Sequence, residues 1–243
     1  MKCVVLIPDI HWPHHDRHAV AAAIEICRRV RPDQIVILGD ALDCDQFSSH
    51  ATKELIEQRS RSFLSDLNGF RRQVLDPLAA VTPYLVYLEG NHEQRVERWC
   101  TGSDTQRAAW EALSPRLRYS DVVHWIPYLG ELTRYVVGRG LWAVHGWSHA
   151  AHAAATHLAT AQSVSIVYGH THRIEMASTR HHASGRLVSA RSPGCLAKLK
   201  GWQTSPISWG HGVCVAYTDG PRHWIYTVEI HRGQVPPLPG VPR

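Results

Sequence analysis

Five short stretches of this sequence carry residue types that bind metal ions or transfer protons. They are DIH at 9–11, GDALD at 39–43, GNHE at 90–93, VHG at 144–146 and GHTH at 169–172. Together they supply carboxylate, amide and imidazole groups, a mixed oxygen and nitrogen set that suits divalent transition metals. The chain also holds 18 histidines against three phenylalanines, and histidine is the commonest metal ligand among side chains. The first hypothesis is therefore a metal centre.

Each stretch alone has a simpler interpretation. An aspartate and a histidine after a strand usually form a turn, and four specified residue types recur by chance in a long chain. Several such stretches in one chain, in order and at strand ends, are much harder to obtain by chance. Their combination favours a functional interpretation.

Apolar runs that predict strands immediately precede these stretches. CVVLIP, DQIVILGD and PYLVYLEG predict three strands, and helical spacing over 16–30 and 52–81 predicts helices between them. The order β-α-β-α-β favours a parallel sheet, and open α/β sheets bind ligands at the carboxyl ends of their strands. The second half predicts one helix near 149–161 and short strands at RYVVG, LWAVHG, VSIVYGH, RLVSARS, GVCVAYTD and HWIYTVEI.

Length and composition predict one large domain. The 243 residues, 44% of them apolar, fit a single domain at 1–232, and the proline-rich residues 233–243 predict an irregular tail. No apolar run reaches the length of a membrane span, and six scattered cysteines without a CxxC predict reduced thiols and a cytoplasmic protein. Most of these thiols are expected to be buried, and Cys44 is the candidate exception. The net charge of +5 favours anionic partners, and the oligomeric state stays open.

The set DxH, GDxxD, GNHE, H and GHxH, from Asp9 to His172, resembles the calcineurin-like metallophosphoesterase superfamily, and most of all its compact phage-type and bacterial phosphoesterases. The resemblance implies a four-layer α/β/β/α fold, with two mixed β-sheets flanked by helices. It implies two divalent ions, with Mn²⁺ as the first candidate and Fe, Ni²⁺, Zn²⁺ or Co²⁺ as alternatives. For a phage-encoded member, the compartment would be the host cytoplasm.

The resemblance also implies a role for each residue of the motifs. One ion would be held by Asp9, His11 and His172, the second by Asn91, His145 and His170, and the Asp40 carboxylate would bridge them. His92 would be the proton donor, oriented by Asp43. Two ions so held clamp a phosphate and aim a metal-bridging hydroxide in line at phosphorus, and the histidine protonates the leaving oxygen.

The expected activity is a phosphodiesterase on nucleotide or nucleic-acid substrates. Superfamily members that act on phosphoproteins carry phosphate-binding arginines where this chain has Cys44 and Glu89, and the GHTH pair is more typical of phosphodiesterases and nucleases. The alternative is a phosphomonoesterase acting on small molecules, RNA ends or proteins. A non-enzymatic alternative is a scaffold or a nucleic-acid-binding module.

Several residues near the motifs are candidates for substrate contacts. Arg95 and Arg173 follow two of the motifs and could bind the phosphate-ester substrate, while Trp12 and Trp147 could stack on a base of a nucleotide or a single strand. Two other groups of histidines lie near the motifs. We expect solvated positions for the first group, with a place at the pocket mouth as the alternative: His14, His15 and His18. We expect surface positions for the second group, with an extra metal site as the alternative: His149, His152 and His157.

Overall fold

The computed structural model describes residues 1–48, 62–161, 163–181, 185–200 and 208–238. Part of the predicted helical stretch, 52–61, and the end of the predicted tail, 239–243, lie outside these ranges. Within the described tail, residues 235–238 form no helix or strand, and Val235 and Leu238 pack against the core.

Eleven described strands form two sheets. They are β1 (Lys2–Ile7), β2 (Gln34–Ile37), β3 (Leu85–Leu88), β4 (Val123–Ile126), β5 (Arg134–Gly138), β6 (Leu141–Val144), β7 (Ser165–Tyr168), β8 (Ile174–Arg180), β9 (Leu187–Pro193), β10 (Gly212–Asp219) and β11 (Arg222–Glu229). The first sheet has the order β11-β10-β1-β2-β3-β4, and the second has the order β5-β6-β7-β9-β8.

Both sheets are mixed. Strands β1 to β4 pair in parallel, as the β-α-β order predicts, and β10 adds to β1 in antiparallel orientation. In the second sheet β6, β7 and β9 are parallel, while β5 and β8 are antiparallel edges. The sequence patterns missed β4 and β8. No residue of β8 is buried and its sequence IEMASTR has no apolar run, while the exposed His124 interrupts the apolar residues of the four-residue β4.

Helices cover the outer faces of the sheets. They are α1 (Arg17–Val30), α2 (Phe63–Phe70), a π-helical turn (Arg71–Leu75) that continues into α3 (Asp76–Ala79), α4 (Gln94–Cys100), α5 (Asp104–Ala108), α6 (Trp110–Leu113), α7 (Pro115–Arg118) and α8 (Ala153–Ala161). Asp16 begins α1, and its carboxylate accepts hydrogen bonds from the backbone N–H groups of His18 and Ala19. Among the described residues, no helix combines the length and apolarity that crossing a membrane requires.

The strand residues alternate between two cores, and this alternation builds the layers. In β1, Val5 and Ile7 pack with the helices, while Val4 and Leu6 face the second sheet. A third apolar cluster joins α8 to the outer face of the second sheet. The result is the expected α/β/β/α arrangement with two mixed sheets.

Candidate metal centre

The five motifs meet where the strands of both sheets end. DIH, GDALD and GNHE follow β1, β2 and β3 of the first sheet, and VHG and GHTH follow β6 and β7 of the second. A pocket of about 300 Å³ opens there, lined in part by His11, Asp40, His92, His170 and His172. The structure thus brings together the seven predicted ligands, His92 and Asp43, although they span more than 160 positions of the chain.

The first cluster joins Asp9, His11 and His172. The Nε2 atoms of the two histidines lie 3.0 Å apart, and Asp9 Oδ1 is 3.5 Å from His172 Nε2. His11 Nδ1 lies 3.0 Å from Asp43 Oδ1, so a neutral His11 donates its proton there and turns the lone pair of Nε2 toward His172. Burial lowers the pKa of His11 to about 4, which keeps it neutral. Two nitrogen lone pairs and a carboxylate that face one another fit a cation.

The second cluster has the same chemistry. His145 Nδ1 donates to Leu38 O at 2.9 Å, which leaves Nε2 facing Asn91 Oδ1 at 3.0 Å and His170 Nδ1 at 3.2 Å. Asp40 Oδ2 lies 3.3 Å from the same His145 atom. Burial opposes a charge on His145, yet Asp40 raises the pKa of this imidazole to about 9. The place therefore attracts positive charge, as a metal site must.

The Asp40 carboxylate faces both clusters. Its Oδ2 is 3.3 Å from His145 Nε2 and 3.9 Å from His11 Nε2, while Oδ1 accepts the backbone N–H of His92 at 2.9 Å. Burial favours the neutral acid, but the imidazoles of His145 and His92 outweigh it and hold the pKa of Asp40 well below its usual range. An ionised carboxylate in this position can serve two cations.

The backbone is strained at the predicted ligands. Positive φ angles of 26° to 69° occur at Asp9, His11, Asp40, His170 and His172, although such angles are unfavourable for residues other than glycine. Strain of this kind clusters at functional sites, because the surrounding structure must hold it in place.

At two motif glycines there is a direct steric reason for the absence of a side chain. A Cβ atom at Gly90 would collide with the Asp40 carboxylate, and one at Gly169 would collide with that of Asp9. The glycine that begins GNHE and the one that begins GHTH therefore let the loops approach the carboxylates closely.

His92 lies at the edge of the pocket with its two nitrogens in different surroundings. Nδ1 is 2.8 Å from Asp43 Oδ1, and Nε2 is 3.8 Å from Asp40 Oδ2 and 3.1 Å from an Arg95 nitrogen. Burial lowers the pKa of His92, but Asp40 and Asp43 outweigh it and raise the pKa above its ordinary value. Arg95 also donates to the backbone oxygen of Asp43, so it touches the predicted proton donor and its partner.

Glu93 has a positioning role that the sequence analysis missed. Its Oε2 accepts the N–H groups of Asp40 at 3.1 Å and Gly90 at 2.8 Å, while Oε1 accepts the N–H of Leu42 and the Tyr87 hydroxyl, both at 2.8 Å. Burial, followed by the nearby Asp40 charge, raises the pKa of Glu93 to about 7. One side chain thus joins the loops after β2 and β3. The only signal in the sequence was its place at the end of GNHE.

Aromatic side chains at the pocket differ from the predicted ones. Trp209 lines it, with its ring 4.2 Å from that of His172, and His149 lines it with its ring 3.9 Å from that of His170. Trp12 is instead buried and stacked on His15. Trp147 packs against the buried His157. No local motif marks Trp209, which comes 37 positions after the last predicted ligand.

The predicted contact Arg173 does line the pocket. Its guanidinium donates to Ala150 O at 2.7 Å and to Glu175 Oε1 at 3.3 Å, which fixes its direction. Arg95 instead stands outside the pocket lining, with one guanidinium nitrogen 3.1 Å from His92 Nε2. Whether either one binds substrate stays a prediction.

The expectation of solvated histidines is wrong for His14, His15 and His157, which are buried. His14 Nε2 lies 3.1 Å from Asp45 Oδ2, and His157 accepts the Trp147 N–H while its Nδ1 bonds to Ala153 O. The sequence around each histidine does not reveal these polar partners. His18 and His152 are exposed, as expected.

Cys44 is also an ordinary buried thiol, contrary to expectation. It is 2% exposed, and burial raises its pKa well above the usual value. It therefore offers no reactive thiolate to the site.

Comparison with models of protein families identifies the family of this chain. The calcineurin-like phosphoesterase model matches residues 4–174, which include all five motifs, and the chain belongs to this family. The family is typically dependent on divalent metals, which agrees with the His and Asp clusters. The gene 54 protein of Mycobacterium phage L5 is 33% identical over 96 residues, which are 39% of this chain and 37% of that protein. The chain thus spans well under half the length of this curated relative.

Solved structures agree on the fold. A double mutant of Vps29 from Entamoeba histolytica matches with a TM-score of 0.51 at 13% identity, covering 96% of each chain. Vps29 from Chaetomium thermophilum matches with a TM-score of 0.50 at 11% identity, covering 96% of this chain and 93% of that one. Such low identities show the fold alone.

Proposed function

We propose that this protein is a binuclear metal-dependent phosphodiesterase that acts on nucleotide or nucleic-acid substrates. The observation that carries the proposal is the Asp40 carboxylate, which lies between two clusters of facing acceptor atoms with His92 beside it. One cluster is Asp9, His11 and His172, and the other is Asn91, His145 and His170.

Two divalent ions in these clusters would neutralise the phosphate and supply an activated water as nucleophile. The chain itself supplies the proton for the leaving group. When the P–O bond breaks, the leaving oxygen takes the proton of His92 Nε2. The Nδ1–H group of His92 keeps its hydrogen bond to the Asp43 carboxylate, which fixes the orientation of the ring. The Arg95 nitrogen that lies 3.1 Å from Nε2 would have to move aside or turn to the leaving group.

The preference for a nucleotide-like diester over a phosphoprotein is supported by Cys44 and Glu89 and by two rings at the pocket. Cys44 is buried, and Glu89 forms an ion pair with Arg116 at 2.6 Å, so neither position offers the arginine that a phosphoprotein phosphatase would need. Trp209 and His149 at the pocket instead provide ring faces that suit a base. These features favour nucleotide-like diesters over phosphoproteins.

Turnover of two aryl substrates with Mn²⁺ tests the proposal. We expect bis(p-nitrophenyl) phosphate to be hydrolysed faster than p-nitrophenyl phosphate, and turnover to stop with chelator and return with added metal. A faster monoester would favour the phosphomonoesterase alternative. Folded, metal-loaded protein without turnover of either substrate would favour the scaffold.

A further inference from the structure

A second groove continues from the metal-site pocket on the far side of Trp209. Trp209 lines both, and the groove has a volume of about 750 Å³ against about 300 Å³ for the pocket. Its other walls include Lys198, Lys200 and Arg232. The groove is therefore large enough to hold parts of a substrate that extend well beyond one phosphate.

The exposed charges of this groove are mainly cationic. Lys198, Lys200 and Arg232 are exposed, and within the described ranges none of them forms an ion pair. Two acids also line the groove, but the Asp16 carboxylate is bonded to backbone N–H groups at the start of α1, which leaves Glu229 as the exposed one. The balance favours an anionic ligand.

Backbone hydrogen bonds hold the groove and the metal-site pocket in a common frame. The Gly210 N–H donates to His172 O at 3.1 Å, and Trp209 forms a β-bridge with Arg173. The Lys198 N–H donates to His14 O at 2.9 Å, which ties its segment to the loop after β1. The backbone at Trp209 and at Lys198 is thus held in place relative to the metal ligands.

We propose that this groove binds single-stranded nucleic acid on one side of the phosphate that is cleaved. Trp209 stacks on a base next to that phosphate, and Lys198, Lys200 and Arg232 contact the phosphates that follow. A flat aromatic ring next to a basic groove is the combination that binds unpaired strands, because only an unstacked base exposes its face. The inference rests on the proposed function, since it assigns the polymer as the substrate of the same site.

The test compares two double variants that each remove two positive charges. Lys198→Ala/Lys200→Ala changes the groove, and Arg28→Ala/Arg222→Ala is the control. Arg28 lies in the last turn of α1, whereas the groove contacts its first, and Arg222 begins β11, whereas the groove contacts its last residue. Binding of a fluorescent 12-nucleotide single strand is measured by anisotropy over a salt series, and turnover of bis(p-nitrophenyl) phosphate is measured in parallel.

The groove variant is expected to bind the strand about 10-fold more weakly than the control, and to lower the slope of log affinity against log salt by about 1.4, because each phosphate contact on a single strand contributes about 0.7. Turnover of the aryl diester should be equal in both. In Trp209→Ala we expect a loss of about 5- to 150-fold in strand affinity, restored in part by Trp209→Phe.

Equal strand affinity and equal salt slopes in the groove variant and the control would overturn the groove proposal. The same conclusion follows if duplex of equal length binds wild-type protein more tightly than single strand. Strand binding and diester turnover are measured separately, so failure of the groove proposal can be distinguished from failure of the proposed phosphodiesterase function. Strand binding that depends on the lysines, without hydrolysis of any diester, would support the groove and remove the enzymatic function.

Discussion

The two sheets build their halves of the metal centre in different ways. On the first sheet, the loops after β2 and β3 are joined by the buried Glu93 carboxylate, which accepts four hydrogen bonds. On the second sheet, the loops after β6 and β7 are joined by a backbone bond from Gly169 N–H to His145 O. The carboxylate that this sheet itself supplies there, Glu175, is partly exposed.

The second half is also tied to the first through the predicted ligands themselves. The His170 N–H donates to Asp9 Oδ1 at 2.8 Å, and His145 Nδ1 donates to Leu38 O at 2.9 Å. The loops of the first sheet are thus bonded to one another, while the loops of the second sheet are positioned by bonds to the first sheet and its loops. The comparison predicts that substitutions in the first-sheet half of the metal centre have larger effects on activity and stability than substitutions in the second-sheet half.

The largest effect is expected for Asp40→Asn, which removes the carboxylate that both halves share. Diester turnover should fall by about 10⁴-fold or more, since both clusters lose an anionic ligand. Asp66→Asn is a matched control, because Asp66 is also buried but bonds Gln46 away from the site. Full turnover in Asp40→Asn, at normal metal content, would contradict the shared role.

His92→Ala should have the next largest effect, and its size should depend on the leaving group. Loss of a general acid costs about 10²- to 10⁴-fold, and we expect the upper end for a nucleotide diester. For bis(p-nitrophenyl) phosphate the loss should be much smaller, because p-nitrophenolate leaves without a proton. Equal losses for both substrates would argue that His92 positions the site rather than donating a proton.

Glu93→Gln tests the internal bracing of the first half. The amide NH₂ of glutamine would face N–H or O–H donors, so the free energy of unfolding should fall by about 1–3 kcal/mol. Chemical denaturation of the metal-free protein measures the change. An unchanged midpoint would show that the four hydrogen bonds do not hold the loops.

Glu175→Gln is the matching change in the second half, and the smallest effect is expected there. Glu175 accepts from the Thr171 hydroxyl at 2.9 Å and pairs with Arg173, but its side chain is 16% exposed. Water can replace part of these interactions, so the cost should stay below about 1 kcal/mol. If this variant loses more stability than Glu93→Gln, the proposed difference between the halves is wrong.

The positions of the predicted ligands could be read from the sequence, but many of their supports could not. Each motif follows an apolar strand, and parallel strands of one sheet end at one edge, so the meeting of the motifs within each sheet was predictable. That the two sets meet was implied by the resemblance to the family. Glu93 was part of a quoted motif, yet its hydrogen bonds reach backbone groups of another loop. Trp209 lines the pocket far along the chain from every motif, and its loop is bonded to the backbone of His172 and Arg173. Contacts of this kind leave no local pattern.

The same reasoning explains the errors in the fold. β8 has no buried residue and so needs no apolar run, and in β4 the exposed His124 interrupts the apolar residues. His14 and His157 are polar by type, but Asp45 and backbone groups satisfy them in the interior. Burial of a polar residue depends on such distant partners.

The most direct test of the account is the number of divalent ions bound by each chain. Metal-free wild-type protein titrated with Mn²⁺ should bind two ions, and His145→Ala, which removes a ligand of the second cluster alone, should bind one with high affinity. A single ion in wild-type protein, or two tight ions in His145→Ala, would contradict two clusters that share Asp40.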